Sequence, residues 1–177
     1  MNRRNNIFRD PSELARILSQ EKKRGLRIVF TNGCFDILHK GHVFYLKKAR
    51  DLGDRLVVGL NTDLSVKKIK GHARPINREG DRAGVLAGLK SVDYVCLFDE
   101  ETPVKIIRIL KPHVLVKGGD YKKEAIAGSK DVKKWGGKIV VLPYLKGYST
   151  TILVDRIARL LEKNLHNKHE EHSLPYE

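Results

Sequence analysis

Cysteine is nearly absent: Cys34 and Cys96 are the only two in 177 residues, they lie far apart, and neither belongs to a C-x-x-C pair. No disulfide framework or thiolate zinc site is signalled, and reduced, mostly buried thiols are the default. Long hydrophobic runs are missing too. Stretches such as Val114-Leu115-Val116 and Ile139-Val140-Val141-Leu142 fall far short of the roughly 20 residues that cross a bilayer, and Met1-Asn2-Arg3-Arg4 leads into no apolar signal core. A soluble, cytoplasmic protein is expected. There is no internal repeat and no low-complexity linker, and the length and 41% hydrophobic content suit a single domain with one substantial core.

Acidic residues are in the minority: 21 Asp plus Glu face 35 Lys plus Arg, for a formal net charge of +14. Such an excess concentrates polyanions near the surface, nucleic acids and nucleotides alike. A nucleic-acid binder usually clusters its basic residues on one face, often with aromatics that stack on bases, whereas these positives are scattered along the whole chain. Abundant Lys, Arg and Glu together also mark solvated, heat-tolerant surfaces. A basic RNA-binding module without catalysis is kept as a minor alternative; nucleic acid and membrane are not the expected partners.

Hydrophobic periodicity predicts alternating elements. Asp10-Pro11-Ser12-Glu13 reads as an N-cap, a proline at the first helical position and an acidic first turn, and Leu14, Ile17 and Leu18 carry a helix to about Lys23, stopped at Gly25. A buried strand is expected over Leu26 to Phe30, a turn at Thr31-Asn32-Gly33, and a helix from Gly41 to Arg50. Further strands are predicted at Arg55 to Leu60, Tyr94 to Phe98, Val114 to Lys117 and Lys138 to Leu142. Helices are predicted near Asp81 to Leu89, Pro103 to Leu110, Lys122 to Trp135 and Thr150 to about Lys163. This alternation implies an α/β fold: a Rossmann-like, doubly wound, mainly parallel sheet with helices on both faces, and ligands at the C-terminal ends of its strands. The polar tail from Asn164 to Glu177 is expected to be mobile. Its His166, His169 and His172 have no accompanying apolar face or other ligand, so no metal residue is assigned.

Gly33-Cys34-Phe35-Asp36 and His39-Lys40-Gly41-His42 fall between the first predicted strand and the next helix. Free N–H groups and the positive end of a helix dipole favour phosphate there, Gly41 leaves room for a ligand, and imidazole donors can hold phosphate oxygens as charge develops. The alternative is that the two histidines merely cap the helix.

His39-x-Gly41-His42 after a strand resembles the signature of the HIGH-type nucleotidyltransferase superfamily. Thr31-Asn32-Gly33-Cys34-Phe35-Asp36-Ile37-Leu38-His39, continued by Gly41-His42-Val43, is similar to the D-glycero-manno-heptose 1-phosphate adenylyltransferase family, which also forms the C-terminal half of bifunctional ADP-heptose synthase. Asn61-Thr62-Asp63, Arg74-Pro75-Ile76-Asn77, Asp81-Arg82, Lys117-Gly118-Gly119-Asp120-Tyr121, Ala127-Gly128-Ser129 and Tyr148-Ser149-Thr150-Thr151 follow in the family's order. The resemblance covers about residues 26–160, within a domain over 1–163 that opens with an N-terminal helical segment at 1–25. Family members commonly have a small residue where Lys40 stands.

Each block also has its own physical reading. Gly118-Gly119 permits a tight turn beside a ligand, and Asp120 either accepts from ribose or base or bonds to turn amides. Ser149, Thr150 and Thr151 are natural N-caps, and the resemblance gives them the β- and γ-phosphates. Asn61 and Asp63 either meet the acceptor or form an Asx-turn. Arg74 and Arg82 offer guanidinium forks for phosphate, and Lys47, one turn past His42, either reaches phosphate or is solvated. The resemblance implies His39, His42 and Lys47 as catalytic residues. It implies Gly33, Cys34, Phe35, Gly41, Gly118, Asp120 and Ser149 to Thr151 around ATP, and Asp36, Asn61, Asp63, Arg74 and Arg82 around the acceptor.

The implied reaction is in-line attack by D-glycero-D-manno-heptose 1-phosphate on the α-phosphorus of ATP with Mg2+, giving ADP-heptose and pyrophosphate. A separate heptose kinase and a homodimeric state belong to the same expectation. A cytidylyltransferase or FAD-synthetase-like adenylyltransferase acting on another phosphorylated acceptor is the alternative.

Overall fold

The computed structural model describes the backbone of residues 6–171 and the side chains of residues 6–162. In chain order the elements are β1 (Ile7–Phe8), α1 (Pro11–Lys23), β2 (Ile28–Gly33), α2 (Lys40–Arg50), β3 (Arg55–Asn61), α3 (Asp63–Lys70) and α4 (Glu79–Gly88), followed by β4 (Tyr94–Phe98), α5 (Val104–Leu110), β5 (Val114–Gly118), a 3-10 turn (Lys123–Ala125), α6 (Ser129–Lys134), β6 (Lys138–Leu142) and α7 (Thr150–Glu171). The six strands form one sheet in the order β1-β4-β3-β2-β5-β6, and every pairing is parallel. The doubly wound, single-domain expectation holds.

Parallel strands need both faces covered. On one face Leu14 and Leu18 of α1, Ile106, Ile107 and Leu110 of α5 and Val132 of α6 pack on Phe30, Val57, Cys96 and Leu115. On the other, Tyr45, Leu46 and Ala49 of α2 and Ala83 and Leu86 of α4 pack on Val29, Leu56, Val58, Val95 and Val116. At the base, Arg55 donates to Glu21 at 2.9 Å and Tyr94 donates to the same carboxylate oxygen at 2.9 Å, tying α1 to the starts of β3 and β4.

Several boundaries differ from those predicted, each for a tertiary reason. β2 starts at Ile28 because Leu26 still bonds back to the Glu21 carbonyl. It runs through Thr31-Asn32-Gly33, expected as a turn, because β3 continues alongside and pairs Gly33 with Leu60. Asn61 closes β3, one residue beyond the predicted end at Leu60. Thr62 caps the unforeseen α3 by accepting from the Ser65 amide. The single helix expected over Lys122 to Trp135 is broken at Gly128, which takes φ 83°. α7 passes Lys163 and continues to Glu171, since no glycine or proline interrupts it. His166 and His169 lie where side chains are not described, and His172 lies outside the described residues.

Leu18 is wholly buried between α1 and the sheet. Leu18→Ala should cost about 2–5 kcal/mol of unfolding free energy in a denaturant titration. A loss under about 1 kcal/mol would contradict the packing of α1 as part of the core.

Candidate active site

The strand order reverses between β2 and β5, which places a crevice at their C-terminal ends. The chain leaves β2 through Phe35, a non-glycine residue at φ 44°, whose ring lies against Gly33 and edge-on to His42 with centroids 5.3 Å apart. This turn delivers His39 to the N-cap of α2. Its side chain makes no capping bond, and only its carbonyl accepts, from the His42 and Val43 amides at 2.9 and 3.2 Å. Side-chain capping therefore does not explain the histidines.

The His39 and His42 rings instead stack, with centroids 3.8 Å apart and planes 23° from parallel. Each carries a buried Nδ1 with no hydrogen-bond partner among the described residues. Burial first, then the neighbouring His39 and Lys70, push the His42 pKa down to about 4, against an opposing bond to the Ile37 backbone. Burial also lowers the His39 pKa. Both imidazoles are thus neutral at neutral pH, each with a single ring N–H, set at the positive end of a helix.

Gly41 brings the second half of the site to the first. A Cβ there would lie 3.0 Å from both His39 Cε1 and Tyr148 Cβ, so glycine lets the start of α2 press against the segment entering α7 where any side chain would make the neighbours give by a few tenths of an ångström. Lys40 rests its ammonium 5.6 Å from the centre of the Tyr148 ring. Ser149 Oγ caps α7 by accepting from the Ile152 amide at 3.1 Å. Thr150 and Thr151 follow in its first turn, so the N-termini of α2 and α7 converge beside the histidines. At the end of β5, Gly119 takes φ 112°, and the Tyr144 ring lies on both glycines: a Cβ at Gly118 or Gly119 would come within 2.9 or 2.8 Å of it. Asp120 is exposed beyond this turn.

The acidic and basic residues expected at the acceptor are brought together, but largely with one another. Arg82 is fully buried, and all three guanidinium nitrogens donate: Nη1 to the Cys34 and Asn61 carbonyls at 2.6 and 2.8 Å, Nε to the Asn77 carbonyl at 3.0 Å, and Nη2 to Asp63 Oδ1 at 2.7 Å. The expectation that Arg82 forks a phosphate is corrected: it clamps the loops after β2 and β3 to the start of α4. Asp36 is likewise internal, accepting from Arg74 at 2.8 Å and from the Ile76 and Asn77 amides at 2.8 and 3.0 Å. Burial alone would raise its pKa, but these bonds reverse the shift and hold the carboxyl below its ordinary value. Asn61 is buried and donates to Ser65 Oγ. Of this group Asp63 and Arg74 keep the most free surface, their side chains 30% and 25% exposed.

Lys47 is also corrected. Five residues past His42 is about 140° around a helix, so it points away from the histidines. Its exposed ammonium meets Asp51 at 3.6 Å. Sequence reasoning missed Tyr144 and Lys70. The latter ends α3 and acts electrostatically on His42 and Cys34, but nothing distinguished it among 35 basic residues.

A cleft of about 380 Å3 lies away from the histidines, lined by Arg9, Asp10, Thr62, Asp99 and Lys105 among others. Its cations are already paired, Arg9 with Glu79 and Lys105 with Glu100, both at 2.8 Å. Among the described residues no group of three His, Cys, Asp or Glu is placed to hold a metal ion, and no helix is long and apolar enough to cross a membrane.

Removing the Arg82 clamp leaves Asp63 and three carbonyls without their donor. Arg82→Gln should destabilise the fold by about 3–5 kcal/mol in denaturant unfolding, whereas Lys47→Ala should stay within about 0.5 kcal/mol. Equal effects of the two substitutions would contradict the assigned roles.

Residues 30–156 match the family described as cytidylyltransferase-like. The bifunctional protein HldE of Shewanella sediminis is 57% identical over 145 residues, which are 82% of this chain and 30% of that protein. The chain spans about 30% of the length of the curated relatives it matches. A crystal structure of a lipopolysaccharide core biosynthesis protein from Thermoplasma volcanium superposes with TM-score 0.57 at 31% identity, over 71% of this chain and all of that one. A pantoate-beta-alanine ligase from Francisella tularensis, 18% identical, shares the fold alone, with TM-score 0.56 over 82% of this chain and 74% of that one. With the match running from the middle of β2 into α7 and taking in both halves of the histidine and hydroxyl site, the chain belongs to the cytidylyltransferase-like family.

Proposed function

We propose that this chain is a nucleotidyltransferase that moves AMP from ATP to D-glycero-D-manno-heptose 1-phosphate. The observation that carries it is the stacked, neutral histidine pair, with its two unpartnered Nδ1 atoms, where the N-termini of α2 and α7 converge. The names and identity of the HldE relatives support the heptose acceptor.

In the proposed reaction a phosphate oxygen of the acceptor forms a bond to the α-phosphorus as the bond to the β-phosphate oxygen breaks, and pyrophosphate leaves. The nucleophile is already ionised, so no general base is required. That suits a site whose histidines are poor proton acceptors and good donors. His39 and His42 would donate to oxygens gathering charge in the transition state, with the helix amides and Ser149, Thr150 and Thr151 around the departing pyrophosphate. Gly33, Cys34 and Phe35 shape the floor, and Gly118 and Asp120 would face base and ribose. Asp36, Asn61, Asp63 and Arg82 would act on the acceptor by fixing the shape of its pocket, and Arg74 would act at its rim.

Mg2+ fits this site as a companion of the nucleotide. Asp36 is engaged by Arg74 and two amides and Asp63 Oδ1 by Arg82, so the described residues offer no carboxylate cage, and the metal would be held chiefly by the triphosphate and water. It would neutralise phosphate charge. The same proposal leaves heptose phosphorylation to a separate kinase and takes the enzyme to be a cytoplasmic homodimer.

The test is pyrophosphate release with ATP or CTP and Mg2+, across heptose 1-phosphate anomers, glycerol 3-phosphate and FMN. Release with ATP and a heptose 1-phosphate is expected. Release only with CTP or another acceptor would move the substrate assignment, and none with any pair would sink the enzyme reading. His39→Ala and His42→Ala should each lower kcat by about 10²–10³-fold with the fold retained. Wild-type turnover in a folded variant would remove that histidine from the chemistry.

A further inference from the structure

Among the described residues the buried and half-buried cations are, with one exception, satisfied internally. Arg82 has four acceptors, Arg74 has Asp36, Arg50 has Asp93, Arg55 has Glu21, and Lys22 donates to the Leu110 and Lys111 carbonyls at 2.7 and 2.8 Å. Lys117 is the exception. It is half-buried near the end of β5, paired with Val141 across the sheet, and has no hydrogen bond or ion pair among the described residues.

Strand alternation places Lys117 on the same face as Leu115, opposite Val114 and Val116. The same rule puts Asn32 and Cys34, at the exit of neighbouring β2, on that face as well. Cys34 is the one charge-bearing group acting on the ammonium, and burial keeps its thiol protonated, so it supplies no counter-ion. A cation held out of water without a partner is costly. This one stands at the switch point, between the histidine loop after β2 and the Gly118-Gly119 turn.

We propose that Lys117 is a further substrate-contacting residue, whose ammonium takes a phosphate oxygen of the bound nucleotide as its missing counter-ion. The assignment rests on the nucleotidyltransferase reading above. It makes the end of β5 a third cationic or donor wall of the phosphate site, beside the histidines and the α7 hydroxyls. The competing explanation, a lysine kept for its apolar stem, predicts different behaviour for Lys117→Met, which preserves the stem and removes the charge.

The experiment compares wild type, Lys117→Met and Lys117→Arg by thermal melting without ligand, with Mg-ATP and with pyrophosphate, and by steady-state kinetics. Ligand-free Lys117→Met should melt at or above the wild-type temperature, since an unpaired charge is gone. Its melting-temperature gain from pyrophosphate and Mg-ATP should fall below half the wild-type gain, and kcat/KM should drop about 10- to 100-fold, as for a lost charge-assisted bond. Lys117→Arg should recover part of both. A Lys117→Met protein with wild-type ligand gain and kcat/KM would overturn the proposal, as would one that melts lower with its ligand gain intact. Pyrophosphate stabilisation that depends on Lys117 in a wild type that turns over no nucleotide would support the anion contact while sinking the enzyme reading.

Discussion

The site depends on one buried guanidinium. Arg82 reaches from α4 into the space beneath the strand ends and donates to Cys34 after β2, to Asn61 at the end of β3, to Asp63 at the start of α3, and to Asn77 before its own helix. Asp36 adds the reciprocal bonds to the 74–77 segment. Charges taken out of water are tolerated only when nearly every donor and acceptor is met, and here the carbonyls that meet them belong to the loops that must be held. The left-handed turn at Phe35, and with it the direction in which His39 enters α2, is built on that clamp.

On this frame the phosphate chemistry is assembled from weak acids, amides and dipoles rather than from a charged triad. Burial, and for His42 also the neighbouring His39, disfavours protonation, so the imidazoles themselves carry little positive charge in the free protein. In the proposed reaction a triphosphate would bring its negative charge to N–H donors, two helix N-termini and the hydroxyls of α7 already in position, held close by the absence of a side chain at Gly41. Positioning of this kind lowers a barrier without reorganisation at the moment of transfer.

Much of this was legible in the chain. β4 and β6 fall where short apolar runs predicted them, because strands buried on both faces read as continuous hydrophobic segments. The histidine loop and the hydroxyl run at the start of α7 were legible because glycine, histidine and threonine at those spacings have few structural reasons to occur. α3 was not, because only Val66 among its aliphatic residues is buried while Leu64 and Ile69 are exposed, so its periodicity is faint. The two-residue β1 is too short to show a pattern. Arg82, Asp36 and Lys47 were recognised by type but not by role. Whether a charged side chain meets a ligand, another loop or solvent is decided by neighbours distant in sequence, such as Asn77 for Arg82, and by helix angle for Lys47.

The most direct measurement is an NMR pH titration of the His39 and His42 imidazoles, without nucleotide and with saturating Mg-ATP. In the free protein His42 should stay neutral well below pH 6.5 and gain its proton near pH 4, and bound phosphate should raise that midpoint by stabilising the imidazolium. A His42 that titrates near its ordinary value in the free protein, or one whose midpoint does not move when Mg-ATP is added, would contradict the histidine pair as the phosphate site.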